Sequence, residues 1–534
     1  MAGDLVVFLG SKHQDLATRQ RSVDRVVCRE VSDPIQADAD PGQAAADRGA
    51  HGRIVFANAA REHNQLNSIK HGDLCSRFLY VRHRTDDERA VGYLPVNTGS
   101  NMKAQKFDID AELSNLQRDS FMYFLRETNP RNGLVIDKTA PHWPASIAAT
   151  GLGLACYPVS VERGFMFRAA AVERTLATLR FFRNSPQGPE PNATGYKDFY
   201  YHFLDMQTGR RAWDCELSTI DTAFLLAGAL SAGAYFNLNT ADEREIRALA
   251  DFLYLRADWQ WAQNQGETVT HGWKPETGFP QVRWEGYDEA LLWYVLALGS
   301  STNALTPSSY AAWASTYRWE TSYGQEYLYA GSLFIHELSH IWIDFRGIQD
   351  AFMRGKGVDY FEYSRRATHV QRQYAIDNPR KFNSYGEHCW GITASEGPGP
   401  DTRKIDGTER QFFDYLARGV PYGPDDGTLA PWALVASLPF APEIVVPALE
   451  FCIYQAKLTQ FNSYGFKASF NPSHPGDTGN PYGWWVSPFH FGLNQRPIVL
   501  MIENHRSGWL WQLMRTCPAI VTGLRRAGFE GGWL

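Results

Sequence analysis

From residue 107 to the C-terminus, apolar side chains recur at helical spacing. In "DIDAELSNLQRDSFMYFLRETN", Leu113, Leu116, Phe121, Phe124 and Leu125 share one face. The same period predicts helices in "RAAAVERTLATLRFFRN", "STIDTAFLLAGALSAGAYF", "ADEREIRALADFLYLRADW" and "GYDEALLWYVLALGS". Further helices are predicted in "YLYAGSLFIHELSHIWIDF", "FEYSRRATHVQRQYAIDN", "PEIVVPALEFCIYQAKL" and "QRPIVLMIENHRSGWLWQLMR". Alternating strand patterns are few. About a dozen helices joined by Gly-, Pro- and aromatic-rich loops fit two concentric rings of six, so the expected fold is all-α, an (α/α)6 barrel. Its long aromatic-rich loops would form a cleft at one end.

The first hundred residues behave differently. "DPIQADADPGQAAADRGAHGR" is rich in Ala, Asp, Arg and Gln and carries no sustained period. Residues 1–105 are therefore expected to be a poorly ordered or atypical extension, or the product of a start placed too far upstream. Residues 106–534 are expected to be one catalytic domain.

Composition narrows the classes of function. A 44% hydrophobic and 21% charged chain of 534 residues suits a large globular core. A formal net charge of −6 without a dense Lys/Arg run argues against nucleic acid as a partner. No apolar run reaches the length of a membrane span. "MAGDLVVFLGSKHQ" has too short an apolar run, behind an Asp, for a secretory signal. The seven cysteines are scattered without a C-x-x-C pair, which suggests neither a disulfide framework nor a cysteine–zinc knuckle. Aromatics reach 14%, with 17 Trp, many beside acids in loops such as "RRAWDCE", "RWEGYDEA" and "NPYGWWVSP". Aromatic faces beside carboxylates suit a sugar cleft, although any single Trp is more often a core residue.

"LFIHELSHIWIDFRG" contains His336-Glu337-Leu338-Ser339-His340, an H-E-x-x-H sequence. On an α-helix His336 and His340 would lie on one face and could share a zinc ion, with Glu337 polarising its water. Glu362, 22 residues after His340, stands where a third ligand would be sought. Phe334, Leu338, Ile341 and Phe345 form the opposite apolar stripe, so an inner helix presenting His336, His340 and Asp344 to a wet cleft reads equally well without metal.

Several blocks carry a resemblance. "ASIAATGLGLACYPVSVERGFMFRAAAVERTLATLRFF", "FYYHFLDMQTGRRAWDCELSTIDTAFLLAGAL", "HGWKPETGF", "SHIWIDFRGI", "YFEYSRRAT" and "PIVLMIENHRSGWLW" resemble the glucoamylase-like domain. That domain occurs in glycoside hydrolase family 144, the endo-β-1,2-glucanases, and in the cyclising domain of cyclic β-1,2-glucan synthases. The resemblance implies an (α/α)6 barrel cleaving β-1,2-linked glucan, endo-acting and inverting, with no metal or other cofactor, and a monomer. Periplasmic or secreted placement is implied as well. In the family Glu337 is commonly a Gln, which makes the zinc motif a coincidence of one residue.

Cleaving a glycosidic bond requires a proton donor at the leaving oxygen and a carboxylate that activates water or attacks directly. Glu289 in "WEGYDEALL" is the expected general acid. Glu216 in "WDCELSTIDTA" is a base, nucleophile or substrate anchor, with Asp221 one turn on. The ordinary readings are that Glu216 caps its helix and Glu289 pairs with an Arg. Expected substrate contacts are Trp213, Trp284 and Trp390 by stacking. Asp137, Asp205, Glu387, Arg211, Arg418, His336, His340 and Asn494 are the polar candidates. One departure stands out. Family members often read "G-I-D-Q-G-P" where this chain reads "GLNQRP", placing Asn494 for Asp and Arg496 for Gly. An Asn cannot take a proton, so slow hydrolysis, retaining transglycosylation and carbohydrate binding alone remain open beside hydrolysis.

Overall fold

The computed structural model describes residues 107–476 and 480–534; the expectation for residues 1–105 lies outside the described residues. Helices of two kinds alternate along the chain. Ile147–Glu162, Thr219–Tyr235, Ala290–Gly299, Pro431–Ala436 and Gly492–Arg506 are buried nearly all round. Ile109–Arg126, Arg168–Asn184, Ala241–Arg256, Tyr360–Asp377 and Pro518–Arg526 bury one face and expose the other. An all-round apolar helix has to be enclosed by others, whereas an amphipathic one covers them. The pairings follow that rule. Ile147–Glu162 packs on Thr219–Tyr235, which meets Ala290–Gly299, and Gly492–Arg506 packs on both Ile147–Glu162 and Pro431–Ala436. Outside them, Ile109–Arg126 covers Gly492–Arg506, Ala241–Arg256 covers Thr219–Tyr235, and Pro518–Arg526 covers Ala290–Gly299.

Glycines set how closely the inner helices approach. A Cβ on Gly228 would run into the Gly151 carbonyl, and one on Gly151 would run into the Leu225 backbone. Capping fixes where they begin. Ser146 Oγ accepts from Ala149 N at 3.2 Å, and Ser218 Oγ accepts from Asp221 N at 3.2 Å. Ser218, rather than Glu216, therefore caps the Thr219–Tyr235 helix.

The structure departs from the expected pattern in three places. Short antiparallel strands occur in the loops. Gly195–Tyr196, Phe199–Tyr201, Leu217–Ser218 and Gly272–Trp273 form one small sheet, and Trp319–Ser322 with Gln325–Leu328 forms a hairpin. The helix expected around "HELSH" is replaced by two 3₁₀ turns, Leu333–His336 and Leu338–Ile341, hinged at Glu337. Its backbone groups find tertiary partners instead of i−4 carbonyls. Phe334 N donates to Thr393 Oγ1 at 3.0 Å, Trp511 Nε1 to His340 O at 2.6 Å, and Asn504 Nδ2 to Ile341 O at 2.9 Å. Finally, the last long predicted helix breaks at Gly508, whose φ of 61° ends Gly492–Arg506 and begins Trp509–Met514. Among the described residues no helix is long and apolar enough to cross a membrane.

Candidate active site

Four carboxyls converge: Asp137 from its loop, Glu216 and Asp221 from the approach to and first turn of Thr219–Tyr235, and Glu289 from the start of Ala290–Gly299. Asp137 is held by its backbone: its N–H donates to Pro144 O at 2.9 Å and its carbonyl accepts from Gly492 N at 2.8 Å. This ties its loop to the beginning of Gly492–Arg506. Trp143 Nε1 donates to Asp137 Oδ2 at 3.1 Å. Burial pushes the Asp137 carboxyl above its ordinary range, and nearby His202 and Lys138 oppose the shift.

Glu216 immediately precedes the Leu217–Ser218 strand that leads into Thr219–Tyr235, and the pairing of Phe199–Tyr201 with that strand sets His202 beside it. His202 Nδ1 lies 2.8 Å from Glu216 Oε1 and Nε2 lies 3.6 Å from Asp221 Oδ2. Asp221 Oδ2 also accepts from Ser218 Oγ at 2.6 Å. Burial alone would lower the imidazole pKa, but Asp221, Glu216 and Asp137 outweigh it and raise His202 to about 9. The ring is therefore an imidazolium at neutral pH, stacked on Phe203 at 4.1 Å.

Glu289 stands at the N-cap of Ala290–Gly299 and makes no side-chain capping bond; its neighbour Asp288 accepts from Ala290 N at 2.9 Å. Burial, followed by the charges of Asp221 and Asp288, pushes the Glu289 carboxyl well above its usual range, while Arg496 and His202 pull it back. Tyr415 completes this side. Burial, Asp137 and Glu289 all raise its phenol. At the rim, Trp143 and Trp213 meet edge to face at 5.0 Å, and Lys138 lies 4.2 Å from the Trp143 ring while pairing with Glu396 at 2.9 Å. Both rings are half-buried, which leaves part of each exposed.

Other candidates lie elsewhere or are occupied. Glu387 is exposed and paired with Arg372. Asp205 is exposed and ties a turn, accepting from Thr208 N at 2.7 Å. Arg211 donates to Cys215 O at 2.7 Å and pairs with Glu276 at 2.7 Å. Arg418 is fully buried against Asp426, with contacts of 2.6 and 2.7 Å, and also donates to Ser395 O at 2.6 Å. Trp390 is fully buried, and Trp284 stacks on His271 at 4.0 Å while donating to Thr219 Oγ1 at 3.2 Å. Asn494 is buried in the first turn of Gly492–Arg506.

The H-E-x-x-H residues point three ways. His336 packs against Tyr287 at 5.3 Å, and burial lowers it to about 3. His340 Nε2 lies 3.0 Å from Ser364 Oγ, and burial first, with help from His336, lowers it to about 3. Glu337 Oε1 accepts from Ser437 Oγ at 2.8 Å, and Glu362 pairs with Arg366 at 2.9 Å. Among the described residues no three His, Cys, Asp or Glu side chains gather as a metal site.

Trp143, His202 and Tyr415 were not among the expected site residues, and Arg496 stood out only as a departure. His202 had a signal: it is the polar residue inside the otherwise apolar "FYYHFL". Arg496 had one too, as a lone cation opening the apolar run "PIVLMI".

Residues 281–518 match the family model described as "Putative glucoamylase". This likeness extends over less than half of the chain. The matched span includes Glu289 and Arg496, and Asp137, His202, Glu216 and Asp221 precede it. An exo β-1,2-glucooligosaccharide sophorohydrolase (non-reducing end) of Parabacteroides distasonis is 27% identical over 453 residues. That alignment covers 78% of this chain and 57% of the relative, so this chain spans little more than half the relative's length. A solved structure from Bacteroides uniformis, titled a putative glucoamylase, superposes with a TM-score of 0.70 at 29% identity, over 80% of this chain and 100% of that one. An endo-β-1,2-glucanase from Chitinophaga pinensis, solved with sophorotriose and glucose, gives a TM-score of 0.68 at 24% identity. It covers 80% of this chain and 100% of that one, a likeness of fold.

Proposed function

We propose that this protein hydrolyses β-1,2-linked glucan, endo-acting and with inversion, on an (α/α)6 barrel whose inner helices are the all-round buried ones. The observation that carries the reading is Glu289. Burial and the neighbouring Asp221 and Asp288 raise its carboxyl well above the usual range, which favours the acid form, and no capping bond engages its side chain. A protonated carboxyl in a cleft is what the leaving glycosidic oxygen needs as a general acid. We assign water activation to Asp221, the foremost charged neighbour of Glu289. Its proton acceptance would accompany attack of water on the anomeric carbon from the face opposite Glu289. Glu216 orients His202, and Trp143 and Trp213 stack on sugar. The names of the relatives support β-1,2-glucan as the substrate class.

The test uses linear β-1,2-glucan, with products followed by NMR. Sophoro-oligosaccharides of several lengths, appearing first as α-anomers, are expected. First release of β-anomers would overturn inversion, sophorose alone would overturn endo action, and no product would overturn hydrolysis. Glu289→Gln is expected to lower kcat by roughly 10²-fold or more while retaining glucan binding, the scale of a lost general acid. Near-normal turnover would overturn the assignment.

A further inference from the structure

An aromatic surface lies on the loops before two buried elements. The hairpin of Trp319–Ser322 and Gln325–Leu328 leads into the Leu333–His336 turn, and residues 418–430 lead into Pro431–Ala436. Val420 N donates to Gly331 O at 3.1 Å, which holds the two loops side by side. A Cβ on Gly419 would lie 2.7 Å from the Gly331 backbone, so glycine permits this approach.

Across that seam the rings of Tyr329 and Tyr422 come to 5.5 Å, and the Arg318 guanidinium carbon lies 5.1 Å from the first centroid and 5.7 Å from the second. The Tyr422 hydroxyl also lies 3.5 Å from Ser322 Oγ, which sets it against the hairpin tip. Tyr323 and Gly324 form that tip with φ of 53° and 73°. A tyrosine in this left-handed position, where Asn, Asp or Gly is usual, is held there at a cost to the backbone. Tyr422 is 51% and Tyr323 39% exposed, and Arg318 is exposed as well.

Two chains of contacts connect this surface with the acid cluster. Tyr329 meets Tyr327 at 6.3 Å, Tyr327 meets His336 at 6.4 Å, and His336 meets Tyr287, two residues before Glu289, at 5.3 Å. On the other side, Arg418 donates to Ser395 O at 2.6 Å. The adjacent Glu396 pairs at 2.9 Å with Lys138, which follows Asp137. Like the segments that carry Glu216 and Glu289, both aromatic loops precede buried elements, so the exposed rings stand at the same end of the molecule as the acids.

We propose that Tyr422, with Tyr329 and Arg318, binds distal sugar units of a β-1,2-glucan chain whose cleaved bond lies at the acid cluster; the inference rests on the reading of that cluster as a glucan-cleaving site. The chemistry matches that ligand. The C–H faces of glucose stack on aromatic rings, while phenol and guanidinium groups hydrogen-bond to its hydroxyls. A chain too short to reach the rings gains nothing from them.

The test uses Tyr422→Ala, at an exposed position where substitutions change stability little, and Tyr422→Trp, which keeps a ring. kcat/KM is measured on long linear β-1,2-glucan and on the shortest sophoro-oligosaccharide that the native protein cleaves. In Tyr422→Ala the ratio of the first to the second is expected to fall by about fivefold to tenfold, the scale of one lost stacking contact. Tyr422→Trp should retain it. An unmoved ratio would overturn the proposal, as would the same fall in both variants. Electrophoresis through gels containing long β-1,2-glucan reads binding without turnover: the native protein should be retarded, and Tyr422→Ala less so. Equal retardation would overturn the proposal even where cleavage is normal. Absent cleavage with that difference in retardation would sink the functional reading alone. A native dimer that Tyr422→Ala converts to a monomer, with retardation unchanged, would assign the surface to a second copy and overturn the proposal.

Discussion

His202 is held between Glu216 and Asp221, and that geometry links the site to stability. Its ordinary pKa of 6.5 is raised to about 9 in the folded protein. A raised folded value stabilises fully below 6.5, and the contribution disappears as pH rises through 9. The shift corresponds to roughly 3 kcal/mol. The native protein should therefore lose stability between these values, read as denaturation midpoints at several pH values. His202→Gln should show a flatter profile; an equal slope in both proteins would exclude the linkage. The acids of the cluster were legible as residue types beside aromatic loops. The stacking residues were not separable, because Trp213, Trp284 and Trp390 share similar flanks. Burial, which flanking residues do not encode, leaves Trp213 half-buried and encloses the other two.

At the scale of elements, the close contact of Ile147–Glu162 with Thr219–Tyr235 places Asp221 near Asp137, and two glycines make that contact possible. Gly228→Ala would drive a methyl into the Gly151 carbonyl and is expected to cost about 3 kcal/mol, the upper range for overpacking. Gly355→Ala, on the exposed Ala351–Lys356 helix where an added Cβ meets open space, should be neutral or slightly stabilising. Denaturation midpoints of the two variants check this, and equal effects would contradict the packing argument. The 3.6-residue period located most helices because it depends on a continuous buried face. It failed at "HELSH", where Thr393, Trp511 and Asn504, distant in sequence, take up the backbone groups an α-helix would have paired internally.

For the whole molecule, the inner helices bring their N-terminal ends and preceding loops to one cluster of acids, cations and aromatics, and the outer helices cover their flanks. Because the chemistry assigned to Glu289 and Asp221 is proton transfer alone, glucan cleavage is expected to survive exhaustive chelation with unchanged kcat. Activity lost to chelator and restored by zinc would revive the H-E-x-x-H reading. The divergent environments of His336, Glu337 and His340 argue for the first outcome.

Local sequence was enough to locate most of the helices, the aromatic loops between them and the kinds of acid available for glycoside chemistry. These are properties of local spacing and side-chain type, which neighbouring residues express without reference to the rest of the chain. The fold alone brings particular acids together, gives the carboxylate partners to His202 rather than to Glu289, and buries Arg496 without a hydrogen bond among the described residues. Those outcomes depend on desolvation and on charges brought together from segments hundreds of residues apart, and no local pattern carries either.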